Sequence, residues 1–245
     1  MRNLEGSSVI LAGASGGLGA AIGSRLERRG ARLVLVGRDA TRLSSVGTRG
    51  IPVVGDLADP ERCASAVATA LSAHGRLDGV VNAAGVVAFG EVGSLSDEVI
   101  HTLLAANLIG PIRLMRAAIP RIEPGGFIVN LSAIVAEQPT AGMASYSATK
   151  AALTAFDRAL VRELRRLRID VIDVRPPHTE TGLADRPVAG KAPRLPAGLA
   201  PGAVADRIVE AIVAGARELA ASDFKAGGAS PARGFGSPAA VESSE

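Results

Sequence analysis

Val9-Ile10-Leu11-Ala12-Gly13-Ala14-Ser15-Gly16-Gly17-Leu18-Gly19 runs from an apolar stretch into a cluster of glycines, and Ala20-Ala21-Ile22 then opens a helical pattern. A buried strand that ends in a glycine turn and starts a helix aims free backbone N–H groups, and the positive end of the helix dipole, at one point. That is an anion site. The glycines admit a positive φ in the turn and let a phosphate approach the main chain. The spacing is Gly13-x-x-x-Gly17-x-Gly19 rather than the G-x-G-x-x-G of the commoner dinucleotide fingerprint, and alone it marks a tight turn equally well.

The rest of the chain repeats the strand–helix alternation. Apolar runs of strand length, rich in Val and Ile, lie at 7–12, 32–36, 51–55, 79–82, 126–131 and 169–174, as expected for strands buried on both faces of a parallel sheet. Between them Ile22 and Leu26 repeat at helical spacing, as do Cys63, Ala66, Val67, Ala70 and Leu71. Ile100, Leu103, Leu104, Ile112 and Met115 mark a long helix of about 97–119. Leu153, Phe156, Leu160, Leu164 and Leu167 form another stripe, and Val204, Ile208 and Ile212 a last one. This alternation predicts a single α/β domain over residues 1–222, a doubly wound, mostly parallel sheet with helices on both faces and ligands at the strands' carboxyl ends. Residues 183–202 read as a long loop, of a length expected of a functional lid or a mobile segment, and 223–245 as a disordered tail.

Composition narrows the classes. The chain has 245 residues, 47% hydrophobic and 21% charged, which is globular. The net charge of +3 comes without a Lys/Arg block interleaved with aromatics, and the run Arg162 to Arg168 suits the solvated face of a helix, so no nucleic-acid partner is expected. The longest apolar run, around 79–93, is broken by Asn82, glycines and Glu91, so no membrane span is expected. Met1 to Gly6 lead straight into the first strand without a leader pattern. The one cysteine, Cys63, excludes an internal disulfide, and the cytoplasm is the expected compartment. His74, His101 and His178 lack metal-ligand spacing, so no metal is expected.

Of 27 basic residues only three are Lys, yet Lys150 stands four residues after Tyr146, the only Tyr in the chain. At i,i+4 the two share one face of a helix. A free phenol, with a pKa of about 10, is a poor acid–base at neutral pH, and a nearby ammonium favours its phenolate. A compact ammonium with three rotatable donors can also bond sugar hydroxyls, which suits Lys better than Arg. The other strand ends carry Gly37-Arg38-Asp39, Gly55-Asp56-Leu57, Asn82-Ala83-Ala84-Gly85, Leu131-Ser132-Ala133 and Arg175-Pro176-Pro177-His178-Thr179-Glu180-Thr181. Each alone is turn chemistry. Together, at one edge of one sheet, they make a site.

With these motifs in order, the chain resembles the short-chain dehydrogenase/reductase family along roughly residues 5–222: the glycine turn, Asp56-Leu57, Asn82-Ala-Ala-Gly85, Asn107 and Tyr146-x-x-x-Lys150. The resemblance implies a Rossmann-like fold and a nicotinamide coenzyme. The glycine turn (Gly13, Gly17, Gly19) and Leu18 would hold the pyrophosphate, Asp56 and Leu57 the adenine, and Asn82, Ala83 and Gly85 the neighbouring ribose region. Thr179 and Thr181 would fix the carboxamide. Tyr146 would exchange a proton with the substrate oxygen, Lys150 would bind the nicotinamide ribose and lower the Tyr146 pKa, and Asn107 would support a water relay. The second strand ends without an acid and then places Arg38, which with Ser15 favours NADP over NAD, Asp39 being a weaker counter-signal. A homodimer or homotetramer is implied by the long helices at about 97–119 and 146–167.

Three departures stand out. Ala12 replaces the usual Thr of the glycine motif, and Pro177 the usual Gly after the sixth strand. The substrate-orienting Ser of the family falls, counted from Asn130 and from Tyr146 alike, on Ala133 rather than Ser132. Successive strand residues point to opposite faces, so Ser132 substitutes only if the chain bulges there. Two functions follow: a reductase or dehydrogenase for a small to medium, apolar carbonyl or alcohol, or a nucleotide-binding sensor or interaction protein of the same fold with weakened turnover. A methyltransferase or epimerase on a similar sheet would explain the glycines but not Tyr146 and Lys150. Substrate choice is expected to lie in residues 86–95, 133–143 and 183–202.

Overall fold

The computed structural model describes residues 1–224; the expected disordered tail lies, from Lys225 on, outside the described residues. Among the described residues, seven strands form one sheet in the order β3-β2-β1-β4-β5-β6-β7, every neighbouring pair parallel. They are β1 (Ser8–Ala12), β2 (Arg32–Gly37), β3 (Ile51–Val54), β4 (Leu77–Asn82), β5 (Ile122–Leu131), β6 (Asp170–Val174) and β7 (Glu218–Leu219). The helices are α1 (Gly17–Arg28), α2 (Ala40–Ser44), α3 (Pro60–His74), α4 (Asp97–Leu104), α5 (Gly110–Ala118), α6 (Ala144–Leu164) and α7 (Pro201–Ala214). The doubly wound α/β expectation holds, with a sheet that is parallel throughout.

The period-2 geometry of a strand divides the core in two. Val9 and Leu11 of β1 face α1 and α7, packing with Ile22, Leu26, Val204, Ile208 and Ile212. Ile10 and Ala12 face the other side, where Cys63, Ala66 and Val67 of α3, Leu114 and Met115 of α5, and Leu160 and Leu164 of α6 cover them. Strand order reverses between β1, which pairs with β2, and β4, so a crevice opens beyond their carboxyl ends.

Several elements differ from the sequence reading. β7 was not foreseen: two residues carry no periodicity, and only pairing with β6 makes them a strand. Ala221–Phe224 forms a short 3-10 turn that buries Phe224 in the α1/α7 core, so packing continues past residue 222. The expected helix of about 97–119 is interrupted by a π-helical segment, Ala105–Ile109, centred on Asn107. The run Asp97–Arg121, not residues 79–93, is long and apolar enough by length and composition to cross a membrane, with a mean hydropathy of 1.3. Its inner face buries Leu103, Asn107, Leu114, Met115 and Ala118, as in a core helix.

Candidate active site

The glycine turn hangs between the two strands that part at the crevice. The N–H groups of Gly13 and Ala14 donate to Val36 O at the end of β2, and Ala83 N–H donates to Ala12 O. Gly13 has φ +74, and a Cβ there would lie 2.6 Å from the Ala83 backbone. At Gly17 a Cβ would lie 2.8 Å from Thr181 O, so the turn also touches the segment that follows β6. No side chain caps α1 and no acid stands in its first turn. The helix end therefore offers uncompensated N–H groups and positive dipole to an anion.

A cleft of about 1290 Å³ runs from this turn along the carboxyl edge of the sheet. It is lined by Gly13, Ser15, Gly17, Leu18, Gly19, Arg38, Asp56, Leu57, Ala83, Gly85, Ser132, Ala133, Tyr146, Lys150, Thr179 and Thr181, which tertiary structure thus brings to one surface. Asn82 and Asn107 are not among the lining residues. Both are fully buried and committed. Asn82 donates to Asn130 Oδ1 at 3.1 Å, and Asn130 donates to Asp157 Oδ1 at 2.6 Å, bolting β4, β5 and α6 together. The Asn107 amide accepts from Val86 N–H (2.9 Å) and donates to Val86 O (3.0 Å) and Thr149 Oγ1 (3.1 Å). It therefore holds the Gly85–Val86 segment against α6.

At the far end of β2, Asp39 caps α2, its carboxylate accepting from Arg42 N–H at 3.0 Å. That contact turns the one acid near the strand end toward the helix. Arg42, absent from the sequence reading, donates to Ser15 O at 2.9 Å and lines the cleft beside Arg38. Arg38 faces Asp56 at a loose 3.9 Å, both side chains being largely exposed. The available signal for Arg42 was the Asp39-x-x-Arg42 spacing of a capped turn.

Tyr146 and Lys150 both face the cleft from the first turns of α6. Tyr146 is 7% and Lys150 4% exposed. The Lys150 ammonium donates to Leu131 O at 2.8 Å and lies 6.0 Å from the centre of the Tyr146 ring. Burial pushes the Tyr146 phenol above its ordinary value, opposite to the lowering expected from Lys150, because desolvation of the phenolate dominates. Burial pulls Lys150 down to about 8, with Asp173 acting against the fall.

Ser132 lines the cleft, but its hydroxyl is engaged by β6, donating to Asp173 Oδ1 at 2.6 Å and reaching Val174 O at 3.1 Å. Ala133, extended at φ −172, packs in the apolar chamber around Tyr146 with Val86, Val87, Phe89, Val135 and Met143.

The 183–200 loop closes the chamber, adding Leu183, Ala184, Arg186 and Val188 to its wall. It is latched at two places. Val188 N–H donates to Val87 O (2.8 Å) and Phe89 N–H to Ala189 O (2.9 Å), while Thr179 and Leu199 form an isolated bridge. The 91–95 part of the expected substrate region is instead an exposed turn outside the cleft.

Known proteins agree with this geometry. The sequence profile of the family described as short chain dehydrogenase matches residues 7–191. An uncharacterized oxidoreductase of Methylorubrum extorquens is 32% identical over 182 residues, 70% of this chain and 73% of that protein. A short chain dehydrogenase of Burkholderia cenocepacia, solved in complex with NADP, is 29% identical at a TM-score of 0.79, covering 90% of this chain and 98% of that one. A short chain dehydrogenase/reductase of Burkholderia phymatum, solved in complex with NAD, shares the fold at a TM-score of 0.81 and 23% identity, covering 90% of each chain. Matched over that length, and carrying the glycine turn and the Tyr146/Lys150 pair on one cleft, the chain belongs to the short chain dehydrogenase family and is an NAD(P)-dependent dehydrogenase/reductase.

Proposed function

We propose that the protein is an NADP(H)-dependent carbonyl reductase or alcohol dehydrogenase for a small to medium apolar substrate, with Tyr146 as general acid–base. The observation that carries this reading is that Tyr146 and Lys150 open onto the same cleft as the uncapped end of α1 and the Arg38/Arg42 corner. The donor set suits a dinucleotide: main-chain N–H groups of the glycine turn for the pyrophosphate, Asp56 and Leu57 for the adenine, Ala83 and Gly85 for the ribose region, and Thr179 and Thr181 for the carboxamide. When bound, the coenzyme supplies or accepts the hydride. Lys150 would bond the nicotinamide ribose, and Asn82 and Asn107 act as positioning residues for the walls.

Tyr146 holds its proton, because burial disfavours the phenolate. In the reducing direction this phenol gives its proton to the carbonyl oxygen, and in the oxidising direction the phenolate takes it back from the alcohol. The apolar chamber of Val87, Phe89, Val135 and Met143 excludes water and suits an apolar substituent on the carbonyl carbon. In this reading the protein works in the cytoplasm as a homodimer or homotetramer, without nucleic acid or membrane. Leu104 and Ile109, exposed on the α4 and π-helical segment, are apolar surface that an oligomer would cover.

NADP selection is assigned to Arg38, assisted by Arg42. Arg38→Asp is expected to weaken NADPH binding by about 10–150-fold, the loss of one charge-assisted contact of roughly 1.5–3 kcal/mol, and to improve NADH binding. Equal NADPH and NADH dissociation constants in variant and parent, by titration calorimetry, would remove Arg38 from the role.

The position of the missing orienting hydroxyl gives a second test. Ala133→Ser is expected to raise kcat/KM for a simple ketone by up to about tenfold, near the value of one hydrogen bond. Ser132→Ala, assayed beside it, would cost about 10²-fold only if Ser132 were itself the donor. Its engagement with Asp173 and Val174 argues against that. The same engagement, with Ala133 lacking a hydroxyl, supports the second reading of a sensor with little turnover. NADPH binding without turnover on any member of a carbonyl panel would establish that reading instead.

A further inference from the structure

A buried ammonium needs a compensating charge, and among the described residues Lys150 has none within ion-pair distance: its one acceptor there is the neutral Leu131 carbonyl. The surrounding elements supply one at slightly longer range. On α6, Thr154 lies one turn beyond Lys150 on the same face, about 6 Å along the axis. Its hydroxyl donates to Asp173 Oδ1 at 3.3 Å. Ser132, the residue after the Lys150 acceptor, donates to that same oxygen. Asp173 is therefore bracketed by the immediate neighbours of Lys150 on both α6 and β5.

Asp173 also pairs through Oδ2 with Arg175, just after β6, but Arg175 is shared with Glu137 after β5 and Glu218 on β7. One guanidinium thus faces three carboxylates. Among the other groups close by, Tyr146 is a neutral phenol and Asn107 and Asn130 are amides. Burial lifts the Asp157 carboxyl on α6 well above the carboxylate range, and its Oδ2 has no hydrogen-bond partner among the described residues. The cluster accordingly carries surplus negative charge, and Lys150 is the buried cation that faces it.

We propose that Asp173, held by Ser132, Thr154 and Arg175, is the counter-charge that keeps Lys150 an ammonium inside the site, and so sets the upper pH limit for coenzyme binding and turnover. Asp173 is buried and does not line the cleft; it is a positioning residue acting through Lys150, and its catalytic consequence rests on the reading of Lys150 given above. Burial lowers Lys150 toward neutrality and the Asp173 charge opposes that, so removing the charge moves the ammonium's titration to lower pH. The ribose-binding donor is then lost at a pH where the parent still has it.

The chain has only three lysines, so protein grown with [13Cε]lysine gives three resolvable signals, and the one kept in a Lys191→Arg/Lys225→Arg background is that of Lys150. Without coenzyme, its midpoint is expected to fall by roughly one pH unit in Asp173→Asn. It should stay within about 0.3 units in Thr154→Val, which removes a hydrogen bond but no charge. The alkaline limb of NADPH affinity should move down with it. An unchanged Lys150 midpoint in folded Asp173→Asn overturns the proposal, as does an equal shift in Thr154→Val. Should Asp173→Asn fail to fold, Lys150→Met/Asp173→Asn, which removes both charges, is expected to fold and melt cooperatively; if it too is unfolded, the pairing is wrong. This titration requires no turnover, so it stands or falls separately from the catalytic assignment of Tyr146.

Discussion

Tyr146→Phe is expected to lower kcat by about 10²–10⁴-fold, the usual worth of a positioned general acid, while the NADPH dissociation constant changes by less than about twofold. The substitution deletes one oxygen from a side chain that is otherwise packed in the chamber with Val86, Phe89 and Val135, so the walls keep their shape. Lys150→Ala should behave differently, losing both turnover and coenzyme affinity, because its ammonium serves the ribose and the phenol together. The ammonium also anchors Leu131 O, so the alanine variant loosens the β5 edge as well. Stopped-flow hydride transfer with NADPH in excess separates the two variants. A Phe variant that retained a sizeable fraction of parental kcat would remove Tyr146 from the chemistry.

Gly13→Ala is expected to abolish useful coenzyme binding and destabilise the fold. The left-handed conformation, φ +74, costs a side chain about 1–2 kcal/mol. The added Cβ would meet Ala83 and Ala84 main-chain atoms at 2.6 Å, and backbone cannot yield as a flexible side chain does. Overpacking of this kind adds about 1–3 kcal/mol. A fall in Tm of roughly 5–15 °C follows. Relieving the clash moves the turn relative to α1, and a displacement near 1 Å can cost about 10²-fold in a positioned contact. Gly47→Ala is the control. Gly47 has φ +70 but open space around it, so only the conformational cost applies and NADPH affinity should be unaffected. Equal coenzyme affinity in Gly13→Ala and the parent would mean that the turn does not hold the anion.

Features set by neighbours in sequence were legible without a structure. The strand–glycine–helix turn, the helical pairing of Tyr146 with Lys150 and the collection of Arg38, Asp56, Ser132 and Thr179 at strand ends all follow from local period and chain order. A parallel α/β sheet then forces those ends to one edge. Features set by distant partners were not legible. Ser132 is diverted by Asp173, 41 residues away, and Asn107 is consumed by Val86 and Thr149, both invisible to spacing. Arg42 enters the cleft because Asp39 turns back to cap α2. β7 exists only through its pairing with β6. The acid–base properties of Tyr146 and Lys150 belong to this second group as well. Side-chain type sets their ordinary values, but burial, a product of packing, decides the direction in which each departs from it, and at Lys150 the Asp173 charge opposes that departure. Local periodicity thus determined which residues share an edge, and desolvation and long-range partners determined what each of them is free to do there.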